Sequence, residues 1–90
     1  MKNIMSIKLL GMGDARYRRI KSNLTEALQH TPVATRMEEI MDWESILGYN
    51  VSSVPAIIVD DKILFEYGDI PSTQQLELML KSAIEEEPHQ

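Results

Sequence analysis

The sequence contains no cysteine. Disulfide bonds, a thiolate nucleophile and thiolate metal ligation are therefore excluded whatever the fold. Aromatic residues are scarce, with one Trp and one Phe among 90 residues, so the core must be built mainly from aliphatic side chains. Four glycines and four prolines are too few for a collagen-like or low-complexity chain. No apolar run approaches the roughly 18 residues that would span a bilayer. The first one, Ile4 to Leu10, is interrupted by Ser6 and Lys8 and has no small-residue cleavage site, so it reads as a strand and not as a signal peptide. The expectation is a cytoplasmic protein without membrane association.

What is present is ordinary for a globular chain: 43% hydrophobic and 26% charged residues, in a length that suits one domain. Residues 1–87 are assigned to that domain and 88–90 to a disordered tail. The net charge of -5 is unevenly spread. Residues 1–21 hold Lys2, Lys8, Arg16, Arg18, Arg19 and Lys21 against Asp14 alone, while the rest of the chain has three cations and thirteen acids. The overall sign argues against nucleic-acid binding, which requires phosphate neutralisation over a broad surface. A local anion-facing patch on the basic N-terminal segment is compatible with it.

Hydrophobic periodicity places the elements. Ile4 to Leu10 is a buried strand running into a Gly11-Met12-Gly13 turn, after which Asp14 occupies an N-cap position. Tyr17, Ile20, Leu24, Ala27 and Leu28 recur at three- and four-residue steps, which predicts an amphipathic helix from Ala15 to near Gln29. Val33 to Glu39 alternates weakly and predicts a second strand. Asp42 caps a short helix carrying Trp43, Ile46 and Leu47 and stopping at Gly48. Ala56 to Val59 and Ile63 to Glu66, joined by Asp60-Asp61-Lys62, predict an antiparallel hairpin. Ser72 caps a last helix with an apolar stripe of Leu76, Met79, Leu80, Ala83 and Ile84. The order β-α-β-α-β-β-α, with a right-handed crossover between the first two strands, gives an α/β fold: one four-stranded mixed sheet flanked by helices.

Four stretches carry a resemblance: the strand ending in Gly11-Met12-Gly13, the helix with Asn23-Leu24 and Ala27, the segment Tyr49 to Ala56, and Gly68-Asp69-Ile70-Pro71-Ser72. In this order and spacing the chain resembles the small thioredoxin-like proteins of the thioredoxin 3, or redox-active disulfide protein 2, family. The resemblance implies a thioredoxin-like fold, a Cys-x-x-Cys pair opening the first helix, and a cis proline facing it. The chain departs from that pattern at the chemistry. In register, Asp14 and Tyr17 stand at the two cysteine positions with Ala15 and Arg16 between them, and Val54 precedes the proline where Thr is common. Thiol-disulfide exchange needs a thiolate and a resolving sulfur, which neither Asp nor Tyr supplies.

The resemblance therefore implies a redox-inactive protein whose former active-site face is a binding surface for a peptide or protein, comprising Asp14, Arg16, Tyr17, Val54 and Pro55. Each residue also has a plain structural reading. Asp14 is an ordinary N-cap or a fixed negative charge for a cationic ligand. Tyr17 is core or rim packing with its hydroxyl in water, or a groove contact. Pro55 shapes a turn, or leaves the backbone of Val54 free to pair with an extended peptide. Arg16, Arg18, Arg19 and Lys21 are the solvated side of a helix or a surface for an acidic partner. Five of the six methionines, Met5, Met12, Met37, Met41 and Met79, read as core filler or rim, and Glu38, Glu39, Asp42 and Glu44 as a solvated acidic face.

No catalytic residue, metal set or cofactor motif emerges: His30 and His89 lack partners at ligand spacing, and Gly11-Met12-Gly13 lacks the further glycine and lysine of a phosphate loop. Two alternatives to peptide binding stay open. One is binding or transfer of glutathione or another small thiol, motivated by Ser72 at the start of the last helix. The other is a structural homodimer closed by Trp43, Phe65 or Tyr67, with the strand near Ile63 to Tyr67 as a pairing edge.

Overall fold

A computed structural model describes residues 4–85. The tail assigned to residues 88–90 lies outside the described residues. The element order is β1 (Ile4–Leu10), α1 (Ala15–Gln29), β2 (Ala34–Ile40), α2 (Trp43–Leu47), β3 (Ala56–Val59), β4 (Lys62–Phe65) and α3 (Thr73–Glu85). The sheet runs β2-β1-β3-β4, with β1 parallel to β2 and antiparallel to β3, and β3 antiparallel to β4.

Strand composition follows position in this sheet. β3 is central and buried along its whole length, as its unbroken Ala-Ile-Ile-Val run requires. The edge strand β2 alternates, with only Ile40 buried. On β1, Met5, Ile7 and Leu9 point to one face with Ile57 and Val59 of β3 beside them. Tyr17, Ile20, Leu24 and Ala27 of α1 and Leu76 and Leu80 of α3 cover that face as the main core. Leu10, Ile58 and Ala56 point to the other face, where Ile40 and Ile46 of the short α2 close a smaller cluster. Each fully buried Leu or Ile contributes roughly 1.5–3 kcal/mol through loss of apolar surface from water.

Two boundaries differ from the sequence reading by one residue. β2 begins at Ala34 and reaches Ile40, because its parallel register sets Ile40 beside Leu10. β4 begins at Lys62, because the hairpin turn needs two residues and not three: Asp60 and Asp61 both have positive φ (47° and 73°), the geometry of the two-residue turn that matches strand twist. The Asp60 carboxylate also accepts from the Ser6 N–H at 2.9 Å, tying the turn back to β1. The start of α3 carries a reciprocal cap, in which the Ser72 hydroxyl accepts from the Gln75 N–H (3.1 Å) and the Gln75 side chain accepts from the Ser72 N–H (2.8 Å). Among the described residues no helix is long and apolar enough to cross a membrane.

Candidate functional site

Five chain segments converge at one end of the sheet. β1 and β2 both finish there, and the Gly11 N–H donates to the Ile40 carbonyl at 3.1 Å. Because Leu10 is paired with Ala56, the turn leaving β1 starts beside Val54 and Pro55, which lead into β3; the Val54–Pro55 bond is cis. Phe65 is paired with Ile57, so the segment after β4 emerges at the same end. Ser52 N–H donates to the Glu66 carboxylate at 2.8 Å, and Arg16 donates to the Gly68 carbonyl at 3.0 Å. Ends of parallel strands beside a helix start are where open α/β sheets commonly hold ligands.

Asp14 is the N-cap of α1. Its extended backbone (φ -79°, ψ -173°) turns the carboxylate onto the helix, where it accepts from the Tyr17 N–H at 3.0 Å. The carboxylate thereby satisfies one of the helix's free donors. Arg16 is exposed and tied to Gly68; with Ala15, Arg19, Asp69 and Ile70 it lines a recess of about 320 Å³. Arg18 is exposed and donates to the Gly13 carbonyl at 2.9 Å.

Tyr17 packs in the core, one of the two readings the sequence offers: the residue is 2% exposed, and its hydroxyl, expected to meet water, donates to the Glu39 carboxylate. Lys21 meets the other oxygen of Glu39 at 3.0 Å. Burial, then the hydrogen bond and negative charge of Glu39, raise the Tyr17 pKa well above the ordinary value. The hydrogen bonds from Tyr17 and Lys21 hold the Glu39 carboxyl below the ordinary value. The Tyr17 ring also lies where a side chain at residue 11 would project, so a Cβ on Gly11 would overlap it. Pro55 is buried and Val54 half-buried against the smaller cluster. The structure thus brings the five expected residues to one end of the sheet. It leaves Asp14 and Arg16 at the surface and places Tyr17 and Pro55 beneath it.

The sequence does not reveal Glu39 as the partner of Tyr17, whereas Met12 and Met41 read there as core filler or rim and Trp43 as an exposed dimer contact. Glu39 reads there as part of a solvated acidic run, yet it shares strand parity with Met37, whose side chain packs on the main core. That parity turns Glu39 toward α1. Met12, Met41 and Trp43 are 51%, 46% and 53% exposed at this same end. The Met41 methyl approaches Gly13 closely enough that a Cβ there would stand 3.0 Å from it, and Gly13 itself has φ 80°. Leu47, one turn beyond Trp43 on α2, is also exposed. Conversely Phe65, read as an interface residue, packs against the main core, whereas Tyr67 is 68% exposed.

Among the described residues no cluster of three metal-ligating side chains occurs. A family model described as a thioredoxin domain matches residues 5–81. No curated protein matches the chain.

Proposed function

Because the chain belongs to the thioredoxin-domain family yet contains no cysteine, we propose that it is a redox-inactive module that binds a peptide or protein segment at the sheet end described above, in the cytoplasm. Exchange chemistry at this corner would require a thiolate at the α1 start and a second sulfur one turn on. The groups there are a capping carboxylate and a buried phenol. Neither can form or exchange a disulfide, and both are already engaged in the fold.

The observation that carries the binding reading is the exposure of Met12, Met41 and Trp43 together at this end. Ile4, Leu47, Ile63, Tyr67 and Leu78 are exposed as well, but Met12, Met41 and Trp43 are the ones that flank the ends of β1 and β2, beside Asp14, Arg16 and the half-buried Val54. Methionines and tryptophan supply large apolar contact area in protein interfaces, and methionine adapts its shape to the partner. An extended peptide laid beside Val54 would seat apolar side chains on Met12, Met41 and Trp43.

Selection of a random dodecapeptide phage library on the immobilised protein tests this. The expected result is enriched clones that bind the wild type and lose binding to Trp43→Glu. A library that yields no clone above the bare support overturns the proposal. Insulin reduction supplies the negative arm: turnover above the uncatalysed rate would contradict redox inactivity.

A further inference from the structure

The sequence places Arg16, Arg18, Arg19 and Lys21 within six residues at the start of α1, the end of a helix where its dipole disfavours cations. No acidic residue occupies the first turn to offset them. Lys21 is neutralised by Glu39. Arg16 and Arg18 are held differently. Their guanidinium groups donate to backbone carbonyls, of Gly68 at 3.0 Å and Gly13 at 2.9 Å, and among the described residues neither they nor Arg19 has a carboxylate within ion-pair distance.

We propose that the binding face selects an acidic partner segment, in which apolar side chains seat on Met12, Met41 and Trp43 and flanking Asp or Glu side chains are gripped by Arg16 and Arg18. The inference rests on the binding reading above and specifies the partner's chemistry. A carbonyl anchor fixes a guanidinium without cancelling its charge and leaves further N–H donors in fork geometry for a carboxylate. Part of the side-chain entropy lost on binding is already lost in the free protein, which favours the bound state. The anchors also set the positions: Gly13 adjoins Met12, so Arg18 borders one of the apolar contacts, and Gly68 adjoins the exposed Tyr67, which lies beside Arg16's anchor. The carboxylate nearest in sequence, Asp14, is spent on the Tyr17 N–H. Nucleic acid, the other polyanion, is disfavoured because the remainder of the chain is strongly acidic.

The dodecapeptide selection decides the matter when its clones are sequenced and the binding peptides synthesised. Enrichment of Asp and Glu next to apolar residues is expected. The Arg16→Gln/Arg18→Gln double variant should bind those peptides about tenfold more weakly, Arg16→Lys/Arg18→Lys should recover part of the loss, and added salt should weaken the wild type but not the double glutamine variant. Circular dichroism of the variants establishes that both remain folded. Clones that bind without acidic enrichment, or whose affinity ignores the arginines, overturn the acidic preference while leaving the binding module standing. An empty selection overturns both. Sedimentation that shows a salt-sensitive dimer abolished by Arg16→Gln/Arg18→Gln would assign the patch to a second copy of this chain and overturn the foreign partner.

Discussion

The ring of Tyr17 fills the space that a side chain at position 11 would need, so Gly11 and Tyr17 form a matched pair across the turn that opens α1. A buried aromatic thus closes the corner from beneath, at the position where the family resemblance expects the second cysteine. The glycine that permits it is set by packing.

Gly11→Ala should therefore destabilise the protein by about 1–3 kcal/mol, the usual cost of overpacking. In a Tyr17→Leu background the same change should cost clearly less, because the smaller side chain frees the space and the two effects cease to add. Urea unfolding of the four proteins in this cycle measures the coupling. Equal costs in both backgrounds would show that the ring is not the obstacle.

Tyr17, Glu39 and Lys21 predict two pH slopes. The folded Glu39 carboxyl titrates below its ordinary 4.5, first because Tyr17 and then because Lys21 donates to it. Its contribution is whole above that value and is lost as pH falls through the folded pKa. The folded Tyr17 phenol titrates above its ordinary 10.0, so its contribution is whole below that value and is lost as pH rises through the folded pKa. Tyr17→Phe should lower stability near neutrality by about 1.5–3 kcal/mol, the worth of a hydrogen bond to a charged group. It should also flatten the alkaline slope and shrink the acid one. Glu39→Gln should remove the acid slope. Urea midpoints followed across pH for the three proteins provide the check.

Asp14 and Ser72 act as caps, and their variants should behave accordingly. Asp14→Ala and Ser72→Ala should each cost about 1 kcal/mol of stability, whereas Asp14→Asn should cost little, since Asn caps as well as Asp. Thermal unfolding distinguishes these outcomes. An Asp14→Asn loss as large as that of Asp14→Ala would point to a need for the charge itself.

Ser72 bears on the small-thiol alternative as well. Its N–H is donated to the Gln75 side chain and its hydroxyl accepts from the Gln75 N–H, so of its two donors a glutathione carboxylate would find only the hydroxyl O–H. Calorimetric titration with glutathione should give no binding heat at millimolar ligand; a saturable signal would revive that reading.

Local patterns determined most of the architecture. Asp14, Asp42 and Ser72 mark helix starts through short-range capping, and the apolar steps of α1 and the β3 run report burial, so these features are visible residue by residue. β2 and β4 shifted by one residue because register is fixed by the neighbouring strand, which no single segment encodes.

The sequence by itself settled that no thiol or disulfide chemistry is available and that the order of elements is that of a thioredoxin-like sheet. The tertiary structure alone decided the character of the corner. It buried Tyr17 on Glu39, pinned Arg16 to the carbonyl of the distant Gly68 and Arg18 to that of Gly13, and left Met12, Met41 and Trp43 exposed. Those outcomes depend on which strands and loops meet at one end of the sheet, and exposure and pairing across such a junction are long-range properties that periodicity along the chain does not carry.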